Sequence, residues 1–269
     1  MISKLHSYFF PKLVAIMLPL SLAAQLRGIP AFVVIPNTAP KCKVANVRRY
    51  GGHVIFCEPT MQSREETAIR VLQEIGAVLV PSSNDVRIIS GQGTLSLEFL
   101  DQAPKLETLI VPISGGGLLS GVVIGAKSKN PAIQVLGAEP KGGDDAAQSK
   151  ACGRLVSLSH TNTIADGLRA SMGDITWPIV RDLVDDIITV DDGEILEAMR
   201  YNYEVLKVAV EPSAAIGLAA VLSDNFKKNS RWNCSQNIGI VISGGECGFR
   251  CSMGITFTDY QDVIFLEGS

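Results

Sequence analysis

From Ile29 onward, short apolar runs rich in β-branched residues alternate with longer amphipathic segments. This alternation is typical of βαβ units, in which each parallel strand is followed by a helix that covers one face of the sheet. The runs predicted to be strands are 31–35, 53–57, 77–80, 108–113, 134–138, 187–190 and 238–242. The sequence therefore predicts an α/β fold built on parallel sheets.

The segments between these strands carry the periodicity of helices. The predicted helices are 41–50, 63–75, 94–102, 118–127, 145–151, 177–183, 192–208 and 213–226. Ser63 and Glu66 have the spacing of a capping box, which predicts that the second helix starts at Ser63. A change of composition at 82–87 indicates that the chain crosses there from a smaller amino-terminal lobe to a larger one.

The amino terminus has the outline of a secretory signal, with Lys4 and His6 ahead of an apolar stretch at 13–24. That stretch leads directly into Gly28 and a β-branched strand, so its apolar residues have a place in the fold. It is also too short, and too interrupted by prolines, to span a bilayer, and no other segment is a membrane candidate. We expect a cytoplasmic protein without a membrane partner, with a signal peptide as the alternative.

The charge balance argues against nucleic acid as a partner. There are 24 Lys and Arg against 27 Asp and Glu, so the net charge of −3 leaves no basic surplus to neutralise phosphates. The six cysteines include no C-x-x-C pair, which disfavours a zinc site.

Two glycine-bearing turns follow predicted strands, at 114–117 and at 243–245. Ligands of open α/β sheets bind at the carboxyl ends of strands, so both turns are expected at one crevice. Glycines let backbone N–H groups approach a phosphate, and the positive end of the following helix dipole favours an anion. The first turn therefore predicts an anion cradle, with a simple tight turn as the alternative.

A dinucleotide is one candidate for the ligand that carries this phosphate. Gly115, Gly117 and Gly121 are followed by Glu139 at the end of the next strand, where a Rossmann protein keeps its ribose-binding acid. The spacing departs from G-x-G-x-x-G, however, and leaves the second glycine turn unexplained. A mononucleotide P-loop is excluded because no Gly-Lys-Ser/Thr follows the glycines.

Several polar residues allow two interpretations each. Glu139, Asp144 and Asp145 suit Mg²⁺ or Ca²⁺, but Asp144 is equally suited to cap the following helix. Ser243 either faces the crevice or is an ordinary turn serine, and Glu211 either lies at the crevice or begins a helix. His53 and His160 have no triad-like partner and are interpreted as structural. Asp185 and Asp186 are interpreted as a solvated helix end.

Taken together, ordered stretches covering 20–245 closely resemble the plant-type serine racemases. The stretches are SLAAQLRGIPAFVVIPNTAPKCKV, RRYGGHVIFCEP, ISGQGTLSLEFL, VPISGGGLLSGV, GAEPKGGDDAAQSK, TIADGLRAS, WPIVRDLVDDI, VEPSAAIGLAAVLS and NIGIVISGG. That family is related to serine and threonine dehydratases and belongs to the fold type II pyridoxal-phosphate enzymes, which are tryptophan synthase β-like. The resemblance implies two open parallel-sheet lobes: a small domain at 1–83 and a large cofactor-binding domain at 84–269, with a divergent tail after 245.

The resemblance also implies roles for individual residues. The cofactor phosphate would bind at Ser114, Gly115, Gly116, Gly117 and Leu118. Ser243 would hydrogen-bond the pyridine nitrogen, and Gly167 and Glu211 would border the ring. Glu139, the Gly143 carbonyl and Asp145 match the family's divalent metal site, for Mg²⁺ or else Ca²⁺ or Mn²⁺. Lys43 falls in the family's ATP-responsive allosteric region.

Two family motifs are not found in this sequence. Members carry a Ser-Phe-Lys motif, whose lysine forms the Schiff base, and a Ser-Ser-Gly-Asn-His loop that supplies a second proton shuttle. Glu246 also stands where the family has asparagine. We therefore expect a chain whose small amino-terminal lobe is truncated, and we identify no catalytic lysine.

The activity implied is removal of the Cα proton of L-serine or D-serine, leading to racemisation or to ammonia release, with L-threonine as a further substrate. A homodimer is implied as well. We expect turnover by this chain to be impaired. The alternatives are a catalytically silent regulatory protomer that pairs with full-length chains, a misfolded remnant, and, remotely, a Rossmann dinucleotide binder.

Overall fold

The computed structural model describes residues 8–10, 14–232 and 235–245, which form two sheets. The first sheet has the order β3-β2-β1-β4, and the second has the order β7-β6-β5-β8. The strands are β1 (Tyr8–Phe10), β2 (Ala31–Pro36), β3 (His53–Cys57), β4 (Val78–Leu79), β5 (Thr108–Pro112), β6 (Gln134–Pro140), β7 (Asp186–Val190) and β8 (Ile238–Ile240). Every described strand pairing is parallel, which confirms the predicted α/β class.

Helices connect the strands and cover the sheets. They are α1 (Val14–Leu26), α2 (Lys41–Arg49), α3 (Met61–Ile75), α4 (Val86–Gln102), α5 (Gly117–Lys129), α6 (Asp145–Cys152), α7 (Thr176–Leu183), α8 (Asp192–Tyr201), α9 (Pro212–Leu222) and α10 (Asp224–Lys228). Single helical turns occur at Lys141–Gly143 and Asp166–Leu168. Within the described residues, no helix is long and apolar enough to cross a membrane.

The second sheet is covered on both faces, which explains its continuous apolar strands. All five residues of β5 are buried. Leu109 and Val111 pack in the cluster that contains α5, whereas Ile110 packs in the cluster that contains α9. Full burial of one such side chain stabilises the folded state by about 1.5–3 kcal/mol. Strand β5 is therefore held firmly in the sheet, and it determines where the following turn begins.

Helices α4 and α5 approach each other closely at three glycines. A methyl group on Gly93 would lie 2.9 Å from the Gly121 carbonyl oxygen. On Gly121 it would overlap the Ile89 carbonyl oxygen, and on Gly125 it would overlap the Ser96 hydroxyl. The small residues therefore set the position of α5, whose first turn belongs to the predicted anion cradle.

Two predicted helix starts are wrong. The second helix begins at Met61 rather than Ser63, because the Thr60 side chain caps it by accepting from the Ser63 N–H at 3.1 Å. Ser63 instead accepts from the Glu58 N–H through its hydroxyl. The helix predicted at 94–102 starts eight residues earlier, because Asp85 caps it and accepts from the Arg87 N–H at 2.8 Å.

Two long predicted helices are interrupted. The segment predicted as 192–208 leaves the α-helical pattern after Tyr201 and continues as a π-turn at Asn202–Leu206. Lys207 ends that turn with a left-handed φ of 57°. The segment predicted as 213–226 breaks at Ser223, whose hydroxyl caps α10 by accepting from the Phe226 N–H.

Strand β1 was not predicted, yet it lies between β2 and β4 in the first sheet. The interpretation of 247–269 as a segment that does not continue the sheet lies outside the described residues. The first sheet is built from residues before 80 and the second from residues after 107. The proposed boundary between 83 and 84 stays a prediction.

Candidate functional site

The first glycine turn connects the buried strand β5 to helix α5. Gly116 has a φ of +82°, and a methyl group there would lie 2.8 Å from the Thr176 Cβ. A methyl group on Gly117 would lie 2.8 Å from backbone atoms of Ser83. Only glycine fits this turn, and the N-cap position of α5 therefore carries no capping side chain. The first N–H groups of α5 are left as donors at the positive end of the helix.

A cavity of about 230 Å³ brings the two glycine turns together. Ser243 at the end of the sheet lines it, and Ser82 and Ser83 line it from the segment that crosses between the sheets. The residues contributed by the first turn are Ser114, Gly115, Gly116, Gly117 and Leu118. The glycine turn at the start of α5 and Ser243 thus line one space.

The Ser114 hydroxyl is engaged elsewhere. It accepts a hydrogen bond from the Ala170 N–H and donates to the Ala170 carbonyl, each at 2.9 Å. Ser114 therefore contributes its backbone to the cavity, while its side chain fastens the loop at 170.

The segment from Glu211 to Ser213 is hydrogen-bonded both to the second glycine turn and to the helical turn at 166–168. The Glu211 N–H donates to the Gly244 carbonyl at 3.2 Å, which holds the second glycine turn. The Ser213 hydroxyl accepts from the Gly167 N–H at 2.9 Å, which holds the turn at 166–168. Gly167 and Glu211 are thus adjacent to the cavity, and Leu168 lines it directly.

Lys43 lies buried beside this segment, with 4% of its side chain exposed. Its ammonium is 2.7 Å from Asp166 Oδ2 and 3.3 Å from Glu211 Oε2. Burial alone would lower the pKa of Lys43, but the Glu211 and Asp166 carboxylates outweigh it and raise that pKa above its ordinary value. Burial raises the pKa of Glu211, against the effect of Lys43. A nucleotide phosphate at Lys43 would have to displace these carboxylates, and the allosteric role stays a prediction.

Glu139 and Asp145 form a second buried polar group. Glu139 is 1% exposed, and its carboxylate accepts from the Ala146 and Ala147 N–H groups, each at 2.9 Å. Asp145 is 2% exposed and accepts from the Met172 N–H at 3.1 Å. Burial raises the pKa of Glu139 to about 8 and that of Asp145 to about 6.

These contacts decide two alternatives. Asp144 does not cap α6 with its side chain, because Glu139 takes the N–H groups there and Asp144 accepts from Gln148 Nε2 instead. Glu139 is buried and does not line the cavity at the glycine turn, which argues against ribose binding there and so against the dinucleotide interpretation.

The donor set fits a hard divalent cation. Two buried carboxylates with raised pKa values gain from a nearby positive charge, and the buried Gly143 lies between them in sequence. Mg²⁺ and Ca²⁺ also accept backbone carbonyl ligands, which a pair of carboxylates leaves room for. Among the described residues, no group of three or more His, Cys, Asp or Glu side chains is placed to hold a metal.

The remaining sequence candidates have structural contacts. His53 stacks on Phe32 with 5.0 Å between ring centroids, and His160 is exposed. Asp185 is not a solvated helix end: it accepts from the Val135 N–H at 2.7 Å and pairs with Lys127 at 2.9 Å. Asp186 begins β7.

Three residues near the site were missed by sequence reasoning, namely Ser83, Thr176 and Ser213. Their partners are the glycines of distant turns, and no local pattern marks them. The nearest signal was the proximity of Ser213 to Glu211, because both lie at the start of the same helix.

Comparison with known proteins identifies similar chains. The family model described as pyridoxal-phosphate dependent enzyme matches residues 18–244. A serine racemase of Oryza sativa subsp. indica is 62% identical over 226 residues, which are 84% of this chain and 67% of the rice protein. The structure of maize serine racemase superposes with a TM-score of 0.88 at 55% identity, covering 93% of this chain and 75% of the maize chain. The serine racemase of Dictyostelium discoideum gives a TM-score of 0.81 at 36% identity, covering 91% of this chain and 78% of that one.

Proposed function

Because the chain belongs to the fold type II pyridoxal-phosphate dependent enzymes, and within them to the serine racemase family, we propose that its cavity binds pyridoxal phosphate and acts on the Cα proton of serine. The observation that carries the proposal is the shared cavity: the glycine turn at the positive end of α5 and Ser243 line the same space. A dinucleotide bound at the same glycine turn would leave Ser243 without a role.

The residues of the cavity have distinct tasks. The backbone N–H groups of Gly115, Gly116 and Gly117 bind the phosphate, and the α5 dipole adds about half a positive charge there. The Ser243 hydroxyl would hydrogen-bond the ring nitrogen, and Gly167 and Glu211 would border the ring. When bound, pyridoxal phosphate supplies an electron-withdrawing ring that stabilises negative charge at the substrate Cα. A neutral hydroxyl at the nitrogen does not favour its protonation, which moderates that withdrawal.

We further propose that proton transfer is the weak step in this 269-residue chain. Among the described residues that line the cavity there is no lysine. Lys43 is the buried lysine beside the site, and its two carboxylate partners keep it charged. A protonated ammonium neither accepts the Cα proton nor attacks an aldehyde. The chain is therefore expected to bind the cofactor and to turn over serine poorly.

We also propose that Glu139, the Gly143 carbonyl and Asp145 bind a divalent cation. Mg²⁺ is the expected ion, with Ca²⁺ and Mn²⁺ as alternatives. Its positive charge would offset the two buried carboxylates. Asp145 also accepts from the Met172 N–H, and the same loop holds Ser114 through Ala170. The cation would thus steady the loop that supports the first glycine turn.

Three finer features follow the family and remain part of the proposal: use of L-threonine besides serine, a response to ATP near Lys43, and assembly as a homodimer. One observation favours assembly. Exposed apolar side chains gather around the π-turn, where Tyr201, Val205, Leu206 and Val208 are 41–64% exposed. The cytoplasmic location is proposed on the sequence argument alone.

The test is a pyridoxal phosphate titration followed by two assays, D-serine formation and pyruvate formation. We expect saturable binding, with turnover at least about a hundred-fold below that of an intact serine racemase assayed in parallel, because a positioned acid–base group contributes roughly 10²–10⁴-fold. The Gly91→Ala variant, altered in an exposed part of α4, serves as a control for binding. Racemisation near the rate of the intact enzyme would contradict the impaired step, and no saturable binding would contradict the cofactor site.

The exposed apolar segment at 201–208 supports one second candidate, a catalytically silent protomer that pairs with full-length chains. Coexpression of the tagged chain with an intact serine racemase, followed by affinity purification, tests it. Recovery of mixed dimers is expected, and purification of the tagged chain without the intact partner would eliminate this candidate.

A further inference from the structure

Thr176 contacts the first glycine turn from outside the cavity. It is the first residue of α7 and is fully buried. Its Oγ1 donates to the Gly115 carbonyl at 2.9 Å and accepts from the Gly173 N–H at 3.1 Å. The hydroxyl also lies 3.3 Å from the Gly173 carbonyl, so its shorter donor contact, to Gly115, is the one that joins the start of α7 to the turn.

This contact fixes the orientation of one peptide group. Every described peptide bond is trans, and in a trans peptide the N–H points opposite to the C=O. With the Gly115 carbonyl directed at Thr176, the Gly116 N–H is directed away from α7. The Thr176 Cβ lies 2.8 Å from where a Gly116 Cβ would be, so the turn also rests on the threonine side chain.

We propose that Thr176 is a positioning residue that orients the Gly115–Gly116 peptide so that the Gly116 N–H is presented to a phosphate in the cavity. The inference rests on the proposed function, because the phosphate meant is that of pyridoxal phosphate. Thr176 does not line the cavity and acts only through the peptide.

Thr176 is itself held in place. The Asn84 side-chain oxygen accepts from the Ile175 N–H at 2.9 Å and from the Thr176 N–H at 3.2 Å, while its nitrogen donates to Asp174 at 2.7 Å. Asn84 directly follows Ser83, whose backbone packs against Gly117. Ser83 and Asn84 thus contact both the glycine turn and the start of α7. The β-branched side chain of Thr176 is also restricted in χ1, which further limits its movement.

Thr176→Val tests the role, because it keeps the shape of the side chain and removes the hydroxyl. We expect a roughly 5–10-fold rise in the Kd for pyridoxal phosphate, which corresponds to about 1–1.4 kcal/mol, the size of one lost hydrogen bond. The Kd for pyridoxal, which has no phosphate, is expected to stay within about two-fold of the wild-type value. The ³¹P NMR signal of the bound phosphate is expected to shift.

Two variants control the comparison. Thr176→Ser keeps the hydroxyl and is expected to restore the wild-type ³¹P signal and affinity. Thr108→Val makes the same change at another fully buried threonine, whose Oγ1 lies 2.7 Å from Ser235 Oγ at the opposite end of β5. It is expected to lower the melting temperature without changing either Kd. If Thr176→Val does not fold, Thr176→Ala against Thr176→Ser isolates the hydroxyl in the same way.

The outcomes separate this inference from the proposed function. Suppose that the wild-type chain binds pyridoxal phosphate. The positioning role is wrong if Thr176→Val binds pyridoxal phosphate equally well, or if its affinity for pyridoxal falls as much as its affinity for pyridoxal phosphate. If the wild-type chain binds inorganic phosphate in a Thr176-dependent manner but not pyridoxal phosphate, only the proposed function is wrong. If it binds neither, both are wrong.

Discussion

Lys43 forms ion pairs that link the part of the described chain around the first sheet to the part around the second. It lies on α2, beside the first sheet, and its partners Asp166 and Glu211 lie in the turn and the helix start next to the cavity. Asp166 is about one-third exposed, whereas Glu211 is almost completely buried. Removal of the ammonium would leave a buried carboxylate without its counter-charge, which costs far more than the pair contributes as a whole.

We predict that Lys43→Met lowers the free energy of unfolding by about 2–4 kcal/mol, because Glu211 loses its ion pair in a buried site. Urea denaturation measures this. Lys41→Met is the matched control, since Lys41 lies on the same helix with an exposed side chain, and its effect should be within about 0.5 kcal/mol. Adding Glu211→Gln to Lys43→Met should recover part of the loss; equal destabilisation by both lysine variants would contradict the account.

At this scale, the glycine turn between a strand and a helix could be predicted from the sequence, whereas the side-chain contacts around it could not. The glycines of 114–117 could be interpreted because a strand, glycines and a helix occur in succession. The hydrogen bonds of the Ser114 hydroxyl to Ala170, and of Thr176 to Gly115, join residues 56 and 61 positions apart. Such contacts exist only once the sheet and helices are packed, and no local pattern carries them.

Between elements, the contact of α4 with α5 determines where the first glycine turn is placed. Gly121→Ala is predicted to destabilise the chain by about 1–3 kcal/mol, because the added methyl overlaps the Ile89 carbonyl oxygen. Gly91→Ala, on α4 with nothing within 4 Å of the added methyl, is predicted to stabilise it by up to about 1 kcal/mol through helix propensity. Thermal unfolding of the two variants checks this, and a loss of stability in Gly91→Ala would be inconsistent with it.

The start of α4 gives a prediction about pH. The hydrogen bond from the Arg87 side chain, followed by that from the Arg87 N–H, lowers the pKa of Asp85 to about 2 from an ordinary 3.8. A carboxyl with a lowered folded pKa stabilises the fold above about pH 4, and the contribution disappears as the pH falls through about 2. Asp85→Ala should lose about 1 kcal/mol of unfolding free energy at about pH 7 and much less near pH 2.

Urea unfolding between about pH 2 and pH 7 measures this dependence. Asp85→Asn is the control, because an amide still caps the helix but does not ionise, so its difference from Asp85→Ala should be nearly constant across that range. A wild-type advantage over Asp85→Ala that does not shrink on acidification would contradict the capping account.

Strand positions were predicted more accurately than helix ends. The strands follow from burial on both faces, which is a strong local signal in β5 and β6. The start of a helix depends on which of several nearby polar residues accepts the first N–H groups. At α3, Thr60 rather than Ser63 is that residue, and at α6 it is Glu139 from the preceding strand rather than Asp144.

For the whole molecule, a bound divalent cation should act as a stabilising ligand. We predict that Mg²⁺ raises the melting temperature of the wild-type chain by several degrees, since a ligand at about 100 times its Kd contributes about 2.7 kcal/mol. Asp145→Asn should abolish the shift, and Asp144→Asn, which changes the less buried neighbour, should keep it. Differential scanning calorimetry with and without Mg²⁺ tests this; a shift retained in Asp145→Asn would place the cation elsewhere.

The meeting of the two glycine turns at one cavity could be predicted from the residues, because the carboxyl ends of parallel strands lie at one edge of a sheet, whereas the two-sheet architecture was implied by the family resemblance. Strand β1 could not, because its three residues are recognisable as a strand only between β2 and β4. The link between Lys43 and the cavity likewise depends on how the two sheets face each other.

We propose a cavity that binds the cofactor phosphate and whose lining, among the described residues, includes no lysine to carry the cofactor. The most direct test is to incubate the purified chain with pyridoxal phosphate, reduce with borohydride, and map modified lysines by peptide mass spectrometry, with saturable binding measured in parallel. The account predicts saturable binding with no lysine labelled stoichiometrically, Lys43 included. Stoichiometric labelling of one lysine would contradict it and would identify the residue that holds the cofactor.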